Sequence, residues 1–273
     1  MLTSAGSLVW IAASQKTAPT GSNSVQSTPT SSTILTTTVT TTANATTTTV
    51  KTTVPVMSTT PVPQLDKWIY YPVDKTTALL STFVPDHLVK LIANGVASIS
   101  VDFQMRSEVI NDLKELFNDA KANGYNLKVL SPYRSYATQE ATFTYWKNLE
   151  LQKGLSDADA DKEANRSSAK AGHSEHQLGT TCDVVSSTDS TLDTTSTNQK
   201  VWTWMDANLV KHGFVLSYPD GKETQTGYVS EPWHIRWVGK DIAAQIAATD
   251  YLNPGNNNTS TSFLKTYWAK LNS

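Results

Sequence analysis

The chain changes character at Pro63, and that break bounds what it can fold into. Before it, Thr and Ser dominate, in runs such as Thr36-Thr37-Thr38 and Thr46-Thr47-Thr48-Thr49, with interspersed Pro and very few charges. Such a segment cannot bury enough apolar surface to offset the entropy of ordering it. Residues 1–63 therefore read as a disordered stalk, of the Ser/Thr/Pro kind that holds a domain away from a membrane or wall. Residues 64–273 are left to form one domain, and that length supports a sizeable core.

Charge and cysteine content narrow the function classes. The formal net charge is −2, so no basic field exists to draw in nucleic acid. The single cysteine, Cys182, excludes an intrachain disulfide and any multi-cysteine zinc site. Leu8–Ala13 is apolar but far too short to span a bilayer, and no basic residue precedes Lys16. Two expectations stand side by side: an export or anchor segment lost from this chain, or an ordinary disordered N-terminus.

Within the domain, Asp66–Val73 is expected along the surface. Val84-Pro85-Asp86 followed by His87–Ile92 suggests a short helix started by Asp86. Met105–Asn123 is the clearest helix, with Val109, Leu113, Leu116, Phe117 and Ala120 at helical spacing and Asn123-Gly124 as its stop. Leu127–Leu130 reads as a strand that delivers Tyr133-Arg134-Ser135 to a turn. Tyr136–Gly154 reads as a helix with Phe143, Trp146 and Leu149 as core candidates, and Leu155–Arg166 as a solvated helix or lid. Further helices are expected from Val201, Asp241 and Phe263, with strands at Phe214–Leu216 and His234–Val238.

Two stretches carry the chemistry: Ser174–Asp183 and Glu231–Arg236. His176, Asp183 and His234 offer two imidazoles and a carboxylate, a donor set that suits zinc and leaves one position open for water. His176 and Asp183 lie too far apart for one helical turn, so a loop followed by a strand must bring them together. His234 would then come from a neighbouring strand of an antiparallel sheet, with Cys182 and Val184 facing away from Asp183. Glu231, three residues before His234, is the acid best placed to move a proton from a metal-bound water. Glu175, adjacent to His176, is expected behind the ligands or at the surface. His173, His87 and His212 are expected to be non-ligands, and Cys182 a core residue. Trp233 and Trp237 either pack or offer a surface to substrate.

Three blocks in order strengthen this reading: Ser131-Pro132-Tyr133-Arg134-Ser135 with Gln139, Gly172–Gly179 with Asp183, and Thr226–Tyr228 leading to Glu231–Arg236. They resemble the VanY-type D-alanyl-D-alanine carboxypeptidases, zinc enzymes of bacterial cell-wall metabolism, from about Leu65 to the C-terminus. The resemblance implies a compact α+β domain with a central antiparallel sheet flanked by helices, as in the D-Ala-D-Ala dipeptidases and the hedgehog signalling domain. It implies His176, Asp183 and His234 as zinc ligands and Glu231 as catalytic base. Arg134 would polarise the scissile carbonyl or hold the substrate carboxylate, unless it is a structural ion-pair partner. Ser174 and Gln139 would position the peptide terminus, with Tyr133 and Trp233 as further substrate contacts. Thr180-Thr181-Cys182 departs from the small apolar residues usual in the family.

The implied reaction is removal of the C-terminal D-alanine from a peptidoglycan stem peptide by a zinc-bound water, at the surface of or outside a bacterium. An L,D-carboxypeptidase acting on tetrapeptide stems shares these motifs, and an endopeptidase is a weaker option. From a different class, a non-catalytic zinc-stabilised cell-wall-binding module needs neither Glu231 nor Arg134.

Overall fold

A computed structural model describes residues 65–192 and 198–273. The stalk and the readings of Leu8–Ala13 lie outside the described residues. Strand β1 (Leu88–Lys90) pairs antiparallel with β2 (Gln104–Arg106) and forms a small separate sheet. Helix α1 (Ser107–Ala122) follows at once and buries Val109, Ile110, Leu113, Leu116 and Ala120, a stripe that recurs every three to four residues. It stops at Asn123, and Gly124 turns the chain at φ 88°, a left-handed conformation that favours glycine.

Next come β3 (Leu127–Ser131), α2 (Tyr136–Gln152), α3 (Asp157–Ser167) and β4 (Thr181–Ser186). Ser135 and Ser156 cap α2 and α3 by accepting from the backbone N–H of Thr138 and Asp159. The rest of the domain is α4 (Gln199–Asn208), β5 (Phe214–Leu216), the short α5 (Glu223–Thr226), β6 (His234–Trp237), α6 (Lys240–Ala247) and α7 (Ser260–Leu271). Thr259 and Ser262 start α7 with a reciprocal capping box. None of the described helices is long and apolar enough to cross a membrane.

The main sheet has four antiparallel strands in the order β3-β4-β6-β5. Its side chains alternate between two faces. Cys182, Val184 and Ile235 enter the main core with Val109, Leu113, Trp202, Phe214 and Ile246. Asp183 and His234 emerge on the opposite face, at the wall of a cavity. The α+β architecture with a central antiparallel sheet is the one the resemblance implies.

Several local expectations need correction. No helix begins at Asp86: His87 takes φ 58°, and Leu88–Lys90 is held as a strand by Gln104–Arg106. A short apolar run fits either period, and only the distant partner strand decides it. That partner also claims Met105 and Arg106, which moves the start of α1 to Ser107. Asp66–Val73 is not a surface strap, because Ile69, Tyr70 and Val73 are buried. Phe143, Trp146 and Leu149 are only half-buried; α2 packs on α3 outside the main core. The Asp/Ala-rich segment is a helix as expected, α3, solvated along most of its length and docked through Ala160 and Ala164.

Candidate metal centre

Sheet register assembles the centre. Ser131 on β3 pairs with Asp183 on β4, and Asp183 pairs in turn with His234 on β6. Residues directly opposite on neighbouring antiparallel strands put their side chains on one face within contact range. His176 arrives from a 3-10 turn, Glu175–Leu178, which ends at Gly179 with φ 73°. That turn is pinned from two sides. Arg134 N–H donates to the His176 carbonyl at 3.2 Å. Gln177 Nε2 donates to the carbonyls of Leu80 and Phe83. One ligand atom each from His176, Asp183 and His234 then falls within 4.8 Å of the others, and all three residues are buried.

Hydrogen bonding shows which atoms are free to coordinate. His176 Nδ1 lies 2.7 Å from the Pro132 carbonyl, which can only accept, so the ring proton sits on Nδ1. Its Nε2 is buried with no hydrogen-bond partner, 3.5 Å from Asp183 Oδ2. An orphaned buried acceptor beside a carboxylate is costly in an empty site, and a cation removes the cost. His234 Nδ1 is 3.2 Å from Asp183 Oδ1, while its Nε2 is 3.0 Å from Glu175 Oε2. Two imidazoles and one carboxylate therefore converge, and they fit a small borderline metal ion.

Electrostatics agree with that geometry. Burial and the nearby Arg134 hold His176 down at about 4, so it is neutral at physiological pH. Burial opposes charge on His234 too, but hydrogen bonds to Asp183 and Glu175 outweigh it and raise the ring to about 10. Despite burial, Asp183 is held far below the usual carboxylate range by both histidines. Metal binding must therefore expel the His234 Nδ1 proton. The expected apparent affinity rises about tenfold per pH unit from roughly pH 7 to 9, with at least one proton released. Calorimetry in two buffers of different ionisation enthalpy measures this, and a pH-independent affinity would contradict it.

A cavity of about 250 Å³ opens over the centre. Arg134, Ser174, Glu231 and Trp233 all line it alongside the three metal-ligand candidates. Glu231 Oε2 lies 3.6 Å from His234 Nδ1. Burial raises the Glu231 carboxyl to about 8; the charges of Asp183 and Glu175 add to this, and His234 and Arg134 oppose it. Arg134 makes no ion pair among the described residues, and its Nε is buried without a partner. Burial lowers its pKa and the charges of Asp183 and Glu231 resist; a guanidinium stays charged.

The other candidates sit at different depths. Gln139 is buried beneath the cavity wall, its Nε2 donating to the carbonyl of Ala169, which does line the cavity. Tyr133 is half-buried and outside the lining. Trp233 both lines the cavity and packs edge-on against Trp202 at 5.5 Å. His173 is bonded to the Asp74 carbonyl and stands apart from the three converging residues. His212 Nε2 reaches Asp119 on α1 at 3.0 Å.

Sequence reading missed Tyr218 and named Tyr228 only within the third block, without a role; both line the cavity with ring centroids 4.8 Å apart, Tyr218 also lying 4.7 Å from the His234 ring. No spacing marks Tyr218. Of the two places expected for Glu175, the structure gives the one behind the ligands: it is buried and bonded to His234.

Known proteins give this geometry a context. The VanY family, described as D-alanyl-D-alanine carboxypeptidase, matches residues 102–240. YodJ of Bacillus subtilis (strain 168) is 34% identical over 182 residues, 65% of this chain and 63% of that protein. A D-alanyl-D-alanine carboxypeptidase of Enterococcus faecalis (strain ATCC 700802 / V583) is 35% identical over 146 residues, 52% of this chain and 53% of the relative. The chain thus spans under two thirds of the length of these relatives. Among solved structures, VanYB in complex with D-alanine-D-alanine aligns with TM-score 0.58 and 30% identity, covering 67% of this chain and 93% of that one. The LD-carboxypeptidase LdcB aligns with TM-score 0.57 and 30% identity, covering 71% and 84%. A variant of the D,D-pentapeptidase VanY solved with Zn(II) aligns with TM-score 0.58 and 26% identity, covering 72% and 99%. The chain belongs to the VanY family of D-alanyl-D-alanine carboxypeptidases.

Proposed function

We propose that this chain is a zinc-dependent D,D-carboxypeptidase that releases the C-terminal D-alanine of peptidoglycan stem peptides outside the bacterial cell, with residues 1–63 as its tether. The observation that carries the reading is the convergence of His176 Nε2, His234 Nδ1 and Asp183 in one cavity that also holds Glu231 and Arg134. Support for zinc comes from the donor set and from the related VanY structure solved with Zn(II). Support for the substrate comes from the VanYB complex with D-alanine-D-alanine.

When bound, zinc supplies Lewis acidity, polarising a carbonyl and acidifying water. The chain's own residues do the rest. Glu231 takes the proton of the attacking water on its carboxylate and delivers it to the departing amine nitrogen. Arg134 offers its N–H groups to negative charge on the reacting carbonyl oxygen or to the terminal carboxylate. Tyr218, Tyr228 and Trp233 wall the cavity with aromatic rings.

A second reading rests on the likeness to LdcB: cleavage of an L,D bond in tetrapeptide stems. Purified protein incubated with pentapeptide and tetrapeptide stems, with and without chelator, separates the two. The expected result is chelator-sensitive D-alanine release from the pentapeptide. Release from the tetrapeptide alone would move the assignment to the L,D activity. Release from neither, in zinc-replete protein, would leave a zinc-stabilised binding module.

A further inference from the structure

The reaction outlined above does not use Glu175, yet this carboxylate lies directly behind a metal-ligand candidate. We propose that Glu175 is a positioning residue that decides which nitrogen of His234 meets the metal, and that Arg236 and Ser217 hold it to that task. The inference rests on the reading of the centre as a metal site.

Glu175 is 1% exposed and all its bonds are to neighbours in the fold. Its Oε1 accepts from Arg236 Nη1 at 2.8 Å. Its Oε2 accepts from Ser217 Oγ at 2.6 Å and faces His234 Nε2 at 3.0 Å. A carboxylate paired with a guanidinium can only accept, so the imidazole must present its proton at Nε2. Nδ1, the nitrogen that gives up its proton when a metal binds, is thereby aimed at the side where Asp183 and Glu231 lie, 3.2 Å and 3.6 Å away. His176 is fixed the opposite way, with its Nδ1 proton on a backbone carbonyl and Nε2 free. The two histidines thus use opposite nitrogens, one set by main chain and the other by a side chain that mutation can change.

Arg236 completes the device. It lies two residues beyond His234 on β6, so both side chains leave the same face of the strand. Its Nη2 donates to the carbonyls of Ile69 at 3.0 Å and Tyr71 at 2.8 Å. The guanidinium is therefore anchored by the buried N-terminal turn of the domain, and Glu175 is anchored by the guanidinium. A carboxylate or carbonyl behind a ligating imidazole commonly fixes its tautomer and is worth about 10- to 100-fold in metal affinity.

Glu175→Gln tests this with little change in shape. Arg236 can only donate, so the carboxamide oxygen goes to it, and the NH2 takes the Oε2 place, where Ser217 Oγ can accept from it and where it faces His234 Nε2. That favours the tautomer with the proton on Nδ1, which has no lone pair for the metal. Zinc affinity measured by chelator competition is expected to fall about 10- to 100-fold. In ¹⁵N-histidine spectra of the zinc-loaded protein, the parent is expected to show Nε2–H and metal-bound Nδ1 for His234, and E175Q to lose that pattern. Glu175→Asp, which restores an acceptor, should recover the pattern and part of the affinity. E175Q binding zinc within about twofold of the parent, or keeping the same His234 nitrogen pattern while only its melting temperature drops, overturns the proposal. A parent protein that binds no zinc overturns the metal reading itself, and this inference with it.

Discussion

Glu231→Gln is expected to lower kcat by about 10²- to 10⁴-fold, the range removed with a general base, while zinc remains bound. Glu231 is not among the three converging ligand residues. Its position comes from the backbone: its N–H donates to the Tyr218 carbonyl and its own carbonyl accepts from His234 N–H. Glutamine keeps both bonds and the side-chain volume, so the ligands should not move. The carboxyl's pKa, raised to about 8 first by burial, gives the expected pH dependence its sign. Only the ionised form takes a proton, so parental kcat/KM should fall as pH drops through the Glu231 pKa. That pKa will lie below 8 once a cation sits nearby. The acidic limb should vanish in the variant. Linkage predicts a second sign for the metal-free protein. A carboxyl whose folded pKa exceeds its unfolded one loses stability as pH rises from about 4.5 to about 8, so the glutamine variant should melt higher near pH 8. Steady-state kinetics with zinc content by atomic absorption check the first claim. A variant with more than a tenth of parental kcat would remove Glu231 from its role.

How much of this was readable from residues alone differs between the centre and its supports. His176, Asp183 and His234 were legible because ligand types are few and the strand alternation around Asp183 leaves Cys182 and Val184 for the core, where they are found. Helix α1 was legible because its apolar stripe has one period over sixteen residues. Leu88–Lys90 was not, since a three-residue strand has no period and is defined by pairing with Gln104–Arg106. The half-buried face of α2 was misread because Phe143 and Trp146 look like core residues at helical spacing; α2 packs on α3 outside the main core, and Trp146 reaches the cavity. For Glu175, residues alone left two places open, behind the ligands or at the surface, for a related reason. Adjacent strand residues face opposite sides, but Glu175 and His176 stand in a 3-10 turn, where neighbours can approach the same site from different directions. Burial of a charge is decided by its partners, and Arg236 and Ser217 are far along the chain.

Arg134 is the residue whose role the fold sharpens most. A structural arginine would be expected to hold a carboxylate, and among the described residues this one holds none. Its backbone is fixed by the N–H donated to His176, just after the register shift on β3 between Val129 and Ser131, so its place beside the metal centre does not depend on its side chain. A guanidinium kept in a cavity, penalised by burial and answered only at a distance by Asp183 and Glu231, is poised for an anion that arrives with the substrate. Arg134→Met is therefore expected to lower kcat/KM by about 10²- to 10³-fold, with no loss of zinc and no fall in melting temperature. Arg134→Lys keeps the charge without the planar fork and should recover only part of the loss. The split between parameters tells which anion it meets. A loss confined to KM would mark the terminal carboxylate, bound alike in ground and transition states, whereas a fall in kcat would mark charge that develops on the carbonyl oxygen. An Arg134→Met enzyme with parental kcat/KM and a melting temperature several degrees lower would make the residue structural after all, held by partners the cavity does not show.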